Sequence, residues 1–369
     1  MKNFVKSIIL AIFMIALLQP AYAKSQQKLT VVSWGGAFTK SQMLAQVLPY
    51  EKKTGIQIEV INYDGSLKDI RAQVLSYNTK WDLVDMYLPD IIIASKEGLL
   101  EKIDIASLPS APDGTPSKKD FLEGTLMNYG VGNTVSSNVI VYKNNKFKKE
   151  VPKTVVDFFD TKKFPGKRGL RSSARINLEW ALIADGVPMN KIYETLSTDN
   201  GVERAFTKLD TIKKHIVWWQ GGAEPVELLE NEKVVMSSAW NGRIQSAIDI
   251  GKEMTIIWDG QIWEFDLWCI PKRTRNKNKK EIMDFLKFIT DSQRLADVTK
   301  YIAYGPARKS SAALISSKIK KNLPTFSENS KHTLKLDGKW WAENQDKMDK
   351  KFIHWKNIKS LSFGGGLRP

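Results

Sequence analysis

From position 29 onward, apolar residues follow two alternating rhythms. Residues 29–33 are a short apolar run ending in Trp34-Gly35-Gly36, after which Met43, Leu44, Val47 and Leu48 recur at helical spacing until Gly55. Thr39 and Gln42 fit a capping box opening that helix. Ile56, Ile58 and Val60 alternate as a second strand, 67–77 reads as a helix, and 81–87 (WDLVDMY) as a third strand. This β-α-β-α-β order predicts a parallel sheet, in which ligands collect at the carboxyl ends of the strands. A Pro/Ser/Asp-rich loop covers 107–117, and the β-branched stretch 129–142 predicts a strand crossing into a second lobe. Helices are expected there over 155–159, 177–185, 188–196 and 201–214, with strands leading into 170 and over 216–219, 234–238 and 255–258. The strand 262–270 crosses back. Ile282, Phe285, Leu286 and Ile289 then show helical spacing, and the lysine-rich tail after Arg308 is expected to be helical and peripheral.

Two crossings make neither lobe continuous in sequence, which is the topology of a hinged clamp. The expected fold class is α/β, two-lobed, each lobe a mixed sheet flanked by helices and hinged by crossover strands. The first lobe takes 24–134 and 263–305, the second 135–262, and 306–369 packs mainly on the second. A cleft between lobes is the default binding site.

The amino terminus departs from both rhythms. Lys2 and Lys6 precede an unbroken apolar run from 8 to 18, and Ala21-Tyr22-Ala23 supplies a small-x-small cleavage signal. Residues 1–23 therefore read as a secretory signal, too short in its apolar part for the ~20 residues that span a bilayer, and the remaining 346 of 369 residues as an exported, monomeric protein. The single cysteine, Cys269, has no intrachain partner, so a disulfide framework is excluded and a small buried hydrophobe is the simplest reading. The formal charge of +16 comes from lysines crowded into 143–153, 272–280, 309–321 and 331–359. These runs have the look of loops and polar helix faces, with no basic recognition helix, so a nucleic-acid partner is not expected.

Candidate chemistry concentrates in 233–271, where Trp240, Trp258, Trp263 and Trp268 alternate with strand-like runs. In a strand over 262–270, Glu264 and Asp266 share a face with Trp268 and Ile270, while Trp263, Phe265, Leu267 and Cys269 take the other. An acid in so apolar a run needs a partner, because an unpaired buried charge is costly. Aromatic rings and a carboxylate are the material of a box for a cation. Asp85, ending the third strand, points toward the same cleft. No H-E-x-x-H, G-x-S-x-G or P-loop is present, and His215, His332 and His354 lack metal-ligand spacing. Catalysis is thus a remote alternative, and no cofactor or metal is expected.

Several blocks resemble one family. TVVSWGG at 30–36, YEKKTGIQIEV at 50–60, KEGLLEKID at 96–104, VVMSSAWNGR at 234–243, FDLWCIPK at 265–272 and YIAYGPARKSS at 301–311 occur in the order found in the periplasmic solute-binding proteins of ABC importers, nearest to the spermidine/putrescine group. The resemblance implies a type II binding protein serving an inner-membrane ABC permease. It also implies that Trp34, Trp240 and Asp266 enclose a polyamine, with Trp258, Trp263, Trp268, Trp218 and Trp219 left to core and lobe packing. The chain departs from the family where an acid and an aromatic commonly follow the first tryptophan, having Gly35, Gly36 and Ala37 there, and an acidic position of the second lobe falls at Ile176. Arg175 and Arg243 beside the cleft, with Gly35-Gly36 amides before a helix, would suit an anionic group. The expected ligand is a polyamine, and the alternative is a zwitterionic or anionic solute such as an amino-acid derivative, opine or aminophosphonate.

Overall fold

The computed structural model describes residues 28–272 and 279–358. The predicted signal and cleavage site lie outside the described residues, as does most of the charged 272–280 linker. One mixed sheet organises the chain: β1 (Lys28–Ser33), β2 (Gln57–Asn62), β3 (Leu83–Tyr87), β4 (Leu126–Met127), β5 (Gly130–Lys143), β6 (Arg168–Arg171), β7 (Ile216–Trp219), β8 (Met236–Trp240), β9 (Met254–Cys269), β10 (Gly305–Pro306) and β11 (Thr333–Lys335). Its main path runs β2-β1-β3-β9-β5-β8-β6-β7. The outer strands on each side are parallel, and the two long central strands, β5 and β9, pair antiparallel along nearly their whole length.

The largest difference from expectation is at β9. The runs 255–258 and 262–270 are one strand of 16 residues, not two. Gly260, with φ of 69°, lies at the register shift within the strand, where its carbonyl accepts from Trp180 Nε1 at 2.8 Å and its N–H donates to the His332 carbonyl at 3.0 Å. The predicted alternation holds along the strand: Phe265, Leu267 and Cys269 enter one apolar cluster, and Trp268 and Ile270 another on the opposite face. Register shifts against β5 between Gly132 and Thr134 and between Asn138 and Ile140 bend the pair, as bulges do.

The first helix begins at Gly36, three residues before the predicted box, and passes through a π-helical turn, Met43–Val47. Thr39 is not its cap; its hydroxyl accepts the Gly35 N–H at 2.8 Å, and Gln42 is buried, accepting from Ser33 Oγ and donating to Asp85. The tail contributes more than helices, since β11 pairs parallel with β9 at 261–263. It then forms the helix Gly338–Asn357, capped by Asp337, whose carboxylate accepts the Trp340 N–H at 2.9 Å. Trp341, Met348, Phe352 and Trp355 form its apolar stripe, at the i, i+7, i+11, i+14 spacing of one helical face. That stripe joins a core with Trp180 and Phe158, while its first turn lies against Leu88 of the helix Leu88–Lys96 on the other half of the sheet. Each fully buried large side chain contributes roughly 2–3 kcal/mol of apolar burial, which fastens this helix to the body. Cys269 is buried and unpaired.

Candidate ligand-binding site

A cavity of about 780 Å³ opens where the carboxyl ends of β1, β3 and β8 meet the middle of β9. Its floor is Asp266, which register places opposite Tyr87 of β3 and Thr134 of β5. Strand alternation turns Asp266 away from the Phe265–Leu267 cluster and into this space, leaving it 2% exposed. Its carboxylate accepts from Ser136 Oγ at 3.1 Å and Thr134 Oγ1 at 3.3 Å, and among the described residues no lysine or arginine forms a salt bridge with it. Burial pushes its carboxyl well above the ordinary range, and repulsion from Asp85 and Glu264 adds to this. A cation arriving from outside would therefore be the group that draws Asp266 into its charged form.

Aromatic walls rise from both sides. Trp34, at the end of β1, lies with ring centroids 4.5 Å from Tyr87 and 5.1 Å from Tyr63. Trp240, at the end of β8, packs edge-on to Trp219 at 5.4 Å. Two guanidiniums cross the Trp240 face, Arg171 at 4.8 Å and Arg243 at 5.8 Å from the ring centroid. Both line the cavity, and neither forms a salt bridge with any described carboxylate. Arg243 runs between two glycines: a Cβ on Gly36 would stand 2.8 Å from its Nη1, and one on Gly222 2.5 Å from its Nε. Trp240 Nε1 and Arg243 Nε are buried without a hydrogen-bond partner among the described residues.

The remaining predicted residues sit elsewhere. Asp85 is fully buried beneath the floor, does not line the cavity, and accepts from Gln42 Nε2 at 2.6 Å and Asn133 Nδ2 at 2.8 Å. Burial pushes its carboxyl up to about 7 despite those donors. Glu264 shares the face of Asp266 but is also buried, accepting from Asn138 Nδ2 at 2.6 Å and facing Arg175 Nη1 at 3.8 Å. Arg175 does not reach the cavity. It lies 3.5 Å from Asp90 on the other half of the sheet and donates to Gln345 Oε1 of the C-terminal helix at 2.6 Å. The next residue, Ile176, holds φ of 77° and is buried in an apolar cluster, so that position offers the cavity no polar group. The Gly35 N–H is not free for an anion, because it is taken by Thr39, and the Gly35 carbonyl accepts from Arg243 Nη2 at 3.5 Å.

Arg171 is the functional candidate that sequence reasoning missed. The available signal was alternation within β6: Arg168 and Leu170 point into the core, so Arg171 takes the other face at the strand's carboxyl end. Tyr63, Tyr87 and Tyr304 were likewise passed over, each lying outside the tryptophan-rich stretch that drew attention.

Comparison with known proteins gives this arrangement its context. Over 346 residues the chain is 36% identical to the gamma-aminobutyric acid-binding protein of Pseudomonas aeruginosa, spanning 94% of this chain and 95% of that relative. The solved structure of the binding protein MotA from A. tumefaciens in complex with glucopine superposes with a TM-score of 0.81 at 27% identity, over 89% of this chain and 100% of that one. That of a GABA receptor gives 0.79 at 31% identity, over 90% and 98%. The fold is thus the mixed α/β fold of the periplasmic binding proteins. Residues 45–326 match the profile of the bacterial extracellular solute-binding proteins, and the chain belongs to that family.

Proposed function

We propose that the protein captures a small zwitterion of the GABA class, an amine joined to a carboxylate by a short apolar spacer, and presents it to an inner-membrane ABC permease after export to the periplasm. The observation that carries this reading is a buried acid and two guanidiniums lining one cavity, none of them in a salt bridge among the described residues. Asp266 has only hydroxyl donors, and Arg171 and Arg243 have no carboxylate partner among the described residues. The amine would sit at Asp266 beside Tyr87, the spacer between the Trp34 and Trp240 rings, and the carboxylate at the guanidiniums, which suit planar anions. The two lobes, 24–134 with 263–305 and 135–262, would close over it, and the closed form would be what the permease selects. A diamine fits less well, since two guanidiniums repel a second ammonium, Glu264 and Asp85 are engaged or covered, and Asp64 and Asp349, which also line the cavity, already accept from the Ser66 N–H and from Gln345 Nε2. The names of the GABA-binding relatives support the same choice.

Isothermal titration of the exported chain with GABA and with putrescine tests this. GABA should bind with Kd near or below micromolar, which needs only about 8 kcal/mol, and Asp266→Asn should weaken it by roughly 30-fold or more, the cost of stripping a buried charge of its partner. Tighter binding of putrescine than of GABA would return the polyamine reading.

A further inference from the structure

One end of the sheet in the second lobe collects positive charge. The carboxyl end of β5 and the amino ends of β8, β6 and β7 lie side by side there, because register sets Tyr142 opposite Met236, Met236 opposite Arg168 and Arg168 opposite Ile216. The segments leading into and out of these strands are rich in lysine. Over 143–168 nine lysines and arginines stand against three acids, and Lys214 joins them just before β7. Lys148, Lys149, Lys153, Lys162, Lys167 and Lys214 are exposed, and none forms a salt bridge among the described residues. The acids are engaged locally. Glu150 pairs with Lys163 and Glu232 with Lys143 and Lys146, while Asp157 accepts the N–H groups of Lys153 and Thr154, and Asp160 those of Lys162 and Lys163. Glu253, also exposed, is flanked by Lys252. The lysines of the C-terminal helix differ, since Lys347 and Lys351 are matched by Asp199.

Exposed aliphatic side chains lie at the same end. Val151 stands between Lys149 and Lys153, Val156 is 51% exposed, and Ile250, four residues before β9, is 78% exposed. Lysines alone would suit any polyanion, whereas lysines interleaved with exposed aliphatic groups suit a surface with anionic headgroups over an apolar layer. We infer that this end of the second lobe is a docking surface for a bilayer containing anionic phospholipid. It lies at the opposite end of β6, β7 and β8 from Arg171, Gln220 and Trp240 of the cavity. A chain held by it therefore keeps the mouth of the cavity turned toward solution, free to load, whichever solute the cavity takes.

The experiment is co-sedimentation of the exported chain with vesicles of phosphatidylcholine alone and with vesicles about one-third phosphatidylglycerol. Each lysine brought to an anionic surface raises partitioning about fivefold, so only the second kind should bind. Raising salt from about 0.01 M to about 0.15 M, which shortens the screening length from about 30 to 8 Å, should weaken that binding. Lys148→Glu/Lys149→Glu/Lys153→Glu, with a melting curve to confirm folding, should weaken it by about tenfold or more. The same charge change at Lys318, Lys320 and Lys321, around β10 and the other half of β5, should weaken it by less than about threefold. Val151→Ser/Val156→Ser should cost about threefold. No binding to the anionic vesicles at low salt, or equal loss in the two lysine variants, overturns the docking surface. Equally tight binding to soluble polyglutamate, with the valine variant unchanged, would assign this end to an acidic chain and refute the bilayer.

Discussion

Arg171 and Arg175 stand four residues apart on one strand-and-turn segment, yet their surroundings give them opposite work. Arg175 is held among Asp90, Glu264 and Gln345 and lies 5.8 Å over the Trp341 ring, so it links the two halves of the sheet to the C-terminal helix. Arg171 has an indole face and an open cavity instead of an acid. A guanidinium surrounded by carboxylates is spent on structure, whereas one left without them is available to a ligand. The same division separates Glu264, matched by Arg175 and Asn138, from Asp266, matched by nothing positive.

The comparison breaks most sharply at Arg175. Arg175→Ala leaves Glu264 and Asp90 buried or half-buried without their cation, and loss of one member of a buried pair costs about 3–5 kcal/mol. Denaturant unfolding should show that loss, with ligand affinity in the surviving folded fraction changed far less. Arg171→Ala should do the reverse, leaving unfolding within about 1 kcal/mol of the parent while weakening a zwitterion by roughly tenfold or more, as titration will read. Equal effects of the two substitutions on stability would erase the distinction.

A smaller effect concerns pH. Asp85 lies beneath the ligand floor; Glu179 lies in the helix Asn177–Ala184, accepting from the Ile176 N–H, Trp341 Nε1 and Tyr193. Both are pushed up to about 7, by burial first. Between about pH 4 and 7 the folded chain therefore holds protons that the unfolded chain has released. Raised carboxyls of this kind stabilise the fold below the unfolded value and lose that contribution as pH climbs toward 7. Stability of the ligand-free protein should fall across that window, and Asp266, whose carboxyl burial also holds well above the ordinary range, adds to the fall. Asp85→Asn should remove about one proton's share of the slope, roughly 1.4 kcal/mol per pH unit; an unchanged slope would mean that Asp85 is already ionised there.

The sequence made the ends of β1 and β8 legible because their apolar runs stop at Trp34 and Trp240, whereas Asp85, expected at the end of β3, lies in its middle with Met86 and Tyr87 still to follow. It also placed Asp266 on the correct face, since a period of two fixes facing once the strand is recognised. It could not tell which charge meets which. Arg175 and Glu264 are 89 positions apart in sequence, and their pairing exists only because the fold brings the segment after β6 against β9. The break assigned near Gly260 was wrong for a related reason: the partners that satisfy its backbone within the strand, Trp180 and His332, come from distant segments. β11 was missed because three residues are too few to show a rhythm.

Asp266 rides on β9, one of the two long central strands shared by both halves of the sheet, while Trp34 and Trp240 stand at the tips of strands belonging to opposite halves. If the halves swing apart to free the solute, the walls leave and the anchor stays. The ammonium would then be the last part of the ligand to let go, still tethered to a spine common to both halves.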